Sequence, residues 1–278
     1  MNSLEFSLLV WLGGVAAGFL GSLTGLGGGI VIVPFLALWL GVDIRYAIGA
    51  SLISIIATSS GAAAVYVKEG YTNFRIGMFL EIATTVGAMA GAFLAAEVSP
   101  SAIAVVFGVV LLYSAYQSNR PRPERPENAA PDPVATFLKM DSSYPTVHGP
   151  QSYRVSNVPG GFSLMFVAGT LSGLLGIGSG AVKVLAMDQV MRIPFKVSTT
   201  TSTFMIGVTA AASAGVYLSR GYIDPVLAMP VMLGVLAGSM IGARILARAE
   251  TRILRIVFSL VILALGADLI YNGLTGRI

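Results

Sequence analysis

Glycine, not charge, interrupts the hydrophobic pattern of this chain. Apolar residues run from Phe6 to Val42 with one break, Thr24-Gly25-Leu26-Gly27-Gly28-Gly29, and Pro34 follows. Residues 1–117 hold five apolar segments, about Phe6–Leu23, Ile30–Val42, Ile44–Val67, Phe74–Ala96 and Ser101–Gln117. A helix that crosses the hydrocarbon core of a membrane needs about 20 residues. The second segment falls short of that, which predicts a half-helix dipping in and out. In water a glycine run reads as a loop. Between membrane-grade segments its backbone must face protein or a watery cavity.

A second set of five segments follows: about Phe162–Leu175, Ala181–Met191, Ser198–Leu218, Pro225–Leu246 and Ile253–Tyr271. One ungapped offset of 151 superimposes residues 18–117 on 169–268. Gly18, Gly25, Gly27 and Gly29 then fall on Gly169, Gly176, Gly178 and Gly180, and the second break reads Leu175-Gly176-Ile177-Gly178-Ser179-Gly180. Ser51 falls on Ser202, Tyr66 on Tyr217, and Gly87 and Gly91 on Gly238 and Gly242. The chain is a duplicated five-segment unit, with repeats at 1–117 and 160–278.

Residues 118–159 change character. Arg120-Pro121-Arg122-Pro123-Glu124-Arg125-Pro126 and the prolines after it do not sustain a helix or a core. They predict a solvated, partly extended linker, with room for one short surface helix over Val134–Met140. His148, the sole histidine, lies here without companion ligands for a metal.

Charge placement then bears on direction. With the linker in the cytoplasm, alternating segments put thirteen basic residues on that side, among them Lys68, Arg75, Arg192 and Lys196. Arg45, Arg220 and Arg277 fall on the other, an asymmetry that follows the positive-inside rule. The fourth loop of the first copy carries Glu97 and no basic residue, while its counterpart carries Arg244, Arg248, Arg252 and Arg255. The same loop faces opposite sides, which predicts inverted repeats with both termini outside. Five crossings per unit, or three with a re-entrant hairpin, satisfy the parity equally.

Composition fixes the class. Soluble domains carry about 25% charged residues; this chain of 278 residues has 11% charged and 55% hydrophobic, with a mean hydropathy of +0.81. The expected fold is an all-α polytopic membrane protein. The net charge of +4 reflects orientation in the bilayer, so nucleic acid is not an expected partner. The chain has no cysteine, which excludes disulfides and thiolate metal sites. Its first segment lacks a basic n-region and an A-x-A site, so it reads as a retained span. No Ser/His/Asp set, paired carboxylates or metal-ligand cluster assembles within the segments. Neither an enzyme nor a cofactor is expected.

Each glycine break exposes backbone N–H groups at the start of the following half-helix, where partial positive charge suits an anion. Two inverted copies would turn these termini toward each other near the midplane. The candidate anion site is therefore Gly25, Gly27, Gly28 and Gly29 with Gly176, Gly178, Ser179 and Gly180. The competing role is close helix packing, for which Gly87-x-x-x-Gly91 and Gly238-x-x-x-Gly242 are better suited. Lys183 stands three residues past Gly180, where the first copy has Ile32. An intramembrane lysine is a functional-site candidate; it neutralises a bound anion, snorkels to the interface, or pairs with Asp188. Ser51 and Ser202, in hydroxyl-rich third segments, are candidate donors to the substrate, while neighbouring hydroxyls back-bond to their own helix. Glu81 is the candidate for proton coupling and pairs with Met232 across the repeat; Asp268 lies nearer the surface. These residues describe a carrier of small anions. A passive anion channel, or a carrier of another small anion such as a carboxylate, fits the same features. The duplication makes a complete pathway within one chain, and pairing through the Gly87 or Gly238 faces would give a homodimer.

Gly25-x-Gly27-Gly28-Gly29 followed by Pro34, then Ala50-Ser51-Leu52, Tyr66 and Gly70, resembles the first half of the sulfite exporter TauE/SafE family. Gly173-Leu174-Leu175-Gly176-Ile177-Gly178 resembles the second signature of that family. The resemblance spans nearly all of the chain except the linker. It implies a bacterial inner-membrane secondary transporter that exports sulfur-containing anions such as sulfite, sulfoacetate or related organosulfonates. The chain departs from the second motif: Ser179 replaces a glycine, Lys183 intrudes, and Leu185 stands where the family usually has proline. The long Pro-rich linker is also unlike compact members. These departures bear on substrate more than on fold.

Overall fold

Many large apolar side chains of these helices face outward, while the interior holds small and polar residues among its large apolar ones. The computed structural model describes residues 3–24, 28–68, 70–118, 132–146, 149–246 and 251–276. The first unit comprises α1 (Ser3–Thr24), α2 (Gly29–Pro34) with a π-helical extension (Phe35–Trp39), α3 (Ile44–Lys68), α4 (Phe74–Glu97) and α5 (Pro100–Ser118). The second comprises α7 (Val158–Leu175), α8 (Gly180–Leu185) with its π turn (Ala186–Val190), α9 (Phe195–Ser219), α10 (Pro225–Leu246) and α11 (Thr251–Leu274). On α4, Met78, Ile82, Val86, Met89 and Phe93 are exposed while Gly77, Glu81, Thr84, Gly87, Ala88 and Gly91 are buried. Among the described residues, Phe74–Glu97, Val158–Leu175 and Lys196–Ser219 are long and apolar enough to cross a membrane. The molecule is an all-α membrane protein.

The duplication reaches element boundaries. α2, its π turn and α3 begin at Gly29, Phe35 and Ile44, and their counterparts at Gly180, Ala186 and Phe195, each 151 residues later. Pro34 ends α2, yet Leu185 ends α8 and the same π turn follows. Proline is therefore not what makes it.

Packing exchanges the units. α1 lies along α10 and α4 along α7, so the first helix of each unit is held by the fourth of the other. Glycine makes both seams. A Cβ on Gly91 would stand 2.0 Å from the Thr170 carbonyl oxygen, on Gly173 2.0 Å from that of Ala88, and on Gly238 2.0 Å from that of Val15. In each seam the residue numbers rise together: Gly87 meets Phe166 and Gly91 meets Thr170; Gly14 meets Val231 and Gly18 meets Val235. These helix pairs run parallel. The equivalent helices α5 and α11 run against each other, because Gly108 meets Gly266 and Ile270 while Gly273 meets Ser101. α3 and α9 do the same, Gly207 lying against Ser59 while Gly49 lies against Tyr222, just past the end of α9. The Gly87 and Gly238 faces are thus filled within the chain, and the expectation that they pair two copies gives way to this internal use.

α8 and its π turn fold back along α7. Gly161, near the start of α7, lies against Met191, and the Ser156 N–H donates to the Met191 carbonyl at 3.1 Å. The result is a helical hairpin with the glycine turn at its tip and both ends on one side.

Residues 132–146 and 149–157 also correct the sequence expectation of a linker without a core. They form α6 (Pro133–Phe137) and an antiparallel hairpin of β1 (Ser142–Thr146) and β2 (Gly149–Tyr153), with Ser142 opposite Tyr153. Ala135, Met140 and Val155 are buried against Ile76, Met187, Met191 and Ile193 of the bundle. Asn73, which caps α4, donates through Nδ2 to the Met140 carbonyl at 3.0 Å and to the Tyr153 hydroxyl at 2.7 Å. Proline excluded long helices here, but not a small cap tied to the bundle by side chains. The arginine-rich run 119–131 and His148 lie outside the described residues.

Asp132 organises the cap. Its carboxylate accepts from the backbone N–H groups of Val134, Ala135 and Val158. Burial raises the pKa of this group, but the three donors outweigh that and hold it below its ordinary value. The capping contribution is present above the unfolded pKa of about 3.9 and is lost as pH falls through the lower folded value. Asp132→Ala is expected to cost about 1 kcal/mol, read as faster amide exchange at Val134 and Val158 near neutral pH. The difference from the parent protein should vanish in strong acid. A second test concerns the seams. Gly173→Leu overpacks α7 against α4 and should lower stability by about 1–3 kcal/mol. Gly215→Ala, where nothing lies within 4 Å, should leave thermal unfolding unchanged or slightly raised.

Candidate functional site

Both glycine turns reach the molecule's centre at the same depth. Ser51 and Ile55 are the eighth and twelfth residues of the 25-residue α3, as Ser202 and Ile206 are of the 25-residue α9. Gly29 packs so closely on α3 that a Cβ would lie 2.5 Å from Ser51 Oγ and 2.9 Å from the Gly176 carbonyl oxygen. Gly178, at φ +70°, packs on Ile206 and faces Ile55. The turn of one unit therefore touches the turn of the other, between α3 and α9. Gly28 sits beside Val235 on α10, and Gly180 begins α8. Gly25 and Gly27 lie outside the described residues.

The predicted serine donors have another employment. Ser51 Oγ donates to the Gly176 carbonyl at 2.7 Å, and Ser202 Oγ donates to the Gly180 carbonyl at 3.4 Å. A hydroxyl has one proton, so each braces a glycine turn instead of offering that proton to a ligand. The Tyr217 hydroxyl does the same at the end of α7, donating to the Gly173 carbonyl at 3.1 Å. Of the four hydroxyls buried without a partner among the described residues, Thr72, Ser172, Ser179 and Thr199, two lie at the second turn: Ser179 Oγ within it and Ser172 Oγ one helical turn before it. Ser179 is also the N-cap of α8 in the left-handed region, at φ +47°, a costly conformation for a residue with a side chain.

Lys183 and Glu81, expected in separate roles, are joined. Lys183 is fully buried, and its Nζ lies 3.9 Å from Glu81 Oε2. Thr209 Oγ1 accepts from Lys183 Nζ and stands 2.6 Å from Glu81 Oε1, within donating distance. Its proton has a second acceptor in the Met205 carbonyl, but the carboxylate is the stronger one. Thr85 donates to Glu81 Oε1 at 3.2 Å. The ion pair of Lys183 is thus with Glu81 on α4, a helix of the other unit, and its charge is balanced before any anion arrives. Asp268 is exposed and accepts from Asn272 Nδ2 at 2.8 Å.

Sequence reasoning missed Thr209, Thr85 and Ser172. Thr209 carried a signal: it follows Ser202 by seven residues and Ile206 by three, one face of a helix. Its repeat equivalent is Thr58, which merely back-bonds to the Ser54 carbonyl. Ser172 has no such signal, because its equivalent is Gly21.

The model of the family described as "Sulfite exporter TauE/SafE" matches residues 10–269. The chain belongs to that family. It is 31% identical to the probable membrane transporter protein YunE of Bacillus subtilis (strain 168) over 278 residues, covering 98% of this chain and 99% of that protein. It is 24% identical to the probable membrane transporter protein YdhB of the same organism, covering 85% of this chain and 87% of that one. A third relative, the probable membrane transporter protein MJ0441 of Methanocaldococcus jannaschii, is 23% identical across 95% of this chain and 97% of its own. No solved structure matches. Family and relatives place the chain among membrane transporters and not among enzymes.

Removing one member of a buried ion pair leaves the other uncompensated, whereas replacing both by apolar residues is often neutral. Lys183→Met is therefore expected to lower stability by about 3–5 kcal/mol, measured by unfolding of the detergent-solubilised protein. The double variant Glu81→Met with Lys183→Ile, copying Met232 and Ile32 of the other half, should recover most of that loss.

Proposed function

We propose that this protein is a secondary transporter that exports small sulfur-containing anions, sulfite, sulfoacetate or related organosulfonates, across the bacterial inner membrane. The observation that carries the reading is the meeting of two glycine turns between α3 and α9, with Ser179 and Ser172 hydroxyls buried beside them and unpartnered. Unsatisfied donors in a low-dielectric site cost free energy that an oxyanion offsets. The N–H groups at the starts of α2 and α8 add donors of the same kind. The sulfur chemistry comes from the description of the family, sulfite exporter.

The transport reading takes the two units as inverted. Its support is the sense of packing: α5 and α11, and likewise α3 and α9, are equivalents that run against each other. A helical hairpin followed by α9, α10 and α11 is in keeping with three crossings and a re-entrant element per unit. An odd count turns the second unit over. The linker cap then faces the cytoplasm with the basic loops, and both termini face outside. Alternating access follows as exposure of one site to each side in turn.

The test is thermal stabilisation of the purified protein by sulfite, thiosulfate, sulfoacetate, taurine, sulfate, acetate and chloride. A ligand of the folded state raises stability with its occupancy. Selective stabilisation by sulfite or a sulfonate is expected, and stabilisation by acetate alone would replace the sulfur assignment with a carboxylate. Ser179→Gly separates site from scaffold. It should raise stability of the free protein by about 1–2 kcal/mol through relief of backbone strain, and should weaken the response to the anion.

A further inference from the structure

Lys183, Thr209 and Glu81 occupy one of two equivalent places. The unit exchange carries Lys183 to Ile32, Glu81 to Met232 and Thr209 to Thr58. The threonine is kept, and both charges are replaced by apolar side chains. A purely structural pair would serve either place. Here the charges stand in one half alone, and both members are absent from the other.

The pair is also loosely held. Glu81 Oε2 is 3.9 Å from Lys183 Nζ and has no hydrogen-bond partner among the described residues. Contact runs mainly through Thr209, which touches both. Thr209 follows Ile206 by three residues on α9, and Gly178 packs on Ile206. Thr209 therefore stands about one helical turn, roughly 5 Å, along α9 from the residue on which Gly178 packs. Among the described residues, the ion pair that reaches Glu81 from the helices packed along α4 is the one with Lys183. α7 has no titratable side chain, and α9 brings Lys196, which lies over the Tyr71 ring, and Tyr217, bonded to Gly173. α8 brings Lys183 alone. On α4 itself Arg75 is bonded to the Lys139 carbonyl, and Glu97 stands 4.0 Å from Arg220.

We propose that Lys183, Thr209 and Glu81 form a proton site that couples anion binding to proton uptake; this rests on the anion reading above. When a monovalent anion reaches the glycine turns, the Lys183 ammonium leaves Glu81 for the anion. Glu81, left as a buried carboxylate, takes one proton from the open side. The charge of the site is unchanged: ammonium with carboxylate becomes ammonium with anion beside a neutral carboxyl. One proton and one anion travel together, and Thr209 turns its hydroxyl between the two partners.

The experiment uses the full chain in vesicles with a trapped pH indicator and an inward gradient of methanesulfonate or sulfoacetate. The wild-type protein should acidify the interior as the anion enters, one proton per methanesulfonate. Its apparent affinity should rise by up to about tenfold per unit fall in pH over the coupling range. Glu81→Gln should carry the anion without acidification and without that pH dependence. Where the single variant fails to fold, Glu81→Met with Lys183→Ile keeps the packing of the other half; lacking the ammonium it should take the anion more weakly, and the anion that enters should bring no proton. Anion entry without acidification by the wild-type protein would overturn the coupling and leave the transport reading standing. Acidification that survives in either variant would place the proton elsewhere and overturn the assignment. Failure of every probe to enter would sink both readings together.

Discussion

Backbone groups buried away from water have only protein to turn to, and this fold is arranged around two places in its interior where helices begin or end. Each stop must be wrapped by protein. The wrapping is specific. Ser51 satisfies the carbonyl of Gly176, Ser202 that of Gly180, and the Gly176 N–H closes on the Ser172 carbonyl. α3 and α9 must therefore cross at the centre, since they carry those serines at matching depth. The glycines at 29, 176 and 178 follow from the same constraint, because side chains there would strike α3, α9 or the opposite turn. Outer helices then seal what the central pair leaves open.

Much of this was legible before any coordinates. The 151-residue offset marked the duplication, and it holds for the starts of α2, α3, the π turns and α5. The small-residue stripes on the fourth segments marked seams, although not that each seam joins the two units. Other features were hidden for physical reasons. The cap over residues 132–146 and 149–157 is held by Asn73, Asp132 and buried methionines from distant segments, so local composition spoke only of its prolines. The ion pair spans Glu81 and Lys183, which are 102 residues apart and in opposite units. A periodic reading ranks each as costly but does not join them. Ser51 and Ser202 were singled out as a repeat-related pair, but their bonds to the Gly176 and Gly180 carbonyls depend on how the turns fold against α3 and α9.

The two copies have kept one scaffold and diverged in its chemistry. Tyr217, Ser202 and the glycines repeat their first-unit equivalents, while Lys183, Ser179 and Glu81 do not. The differences cluster around the second turn and the face of α4 that meets α9. A symmetrical frame thus holds an asymmetric centre. Such a centre can treat a substrate arriving from one side differently from one arriving from the other, even where the path itself is two-fold.

The parallel glycine seams have a mechanical meaning. Because α1 is bolted to α10 and α4 to α7 with backbones in contact, the rigid pieces of this molecule are hybrids assembled from both repeats. Neither half of the sequence is a body that can tilt by itself. Any large motion has to slide these composite pairs past α3 and α9, which pack between them. Cleavage of the chain between the repeats would accordingly leave two interlocked fragments, each supplying a wall the other lacks.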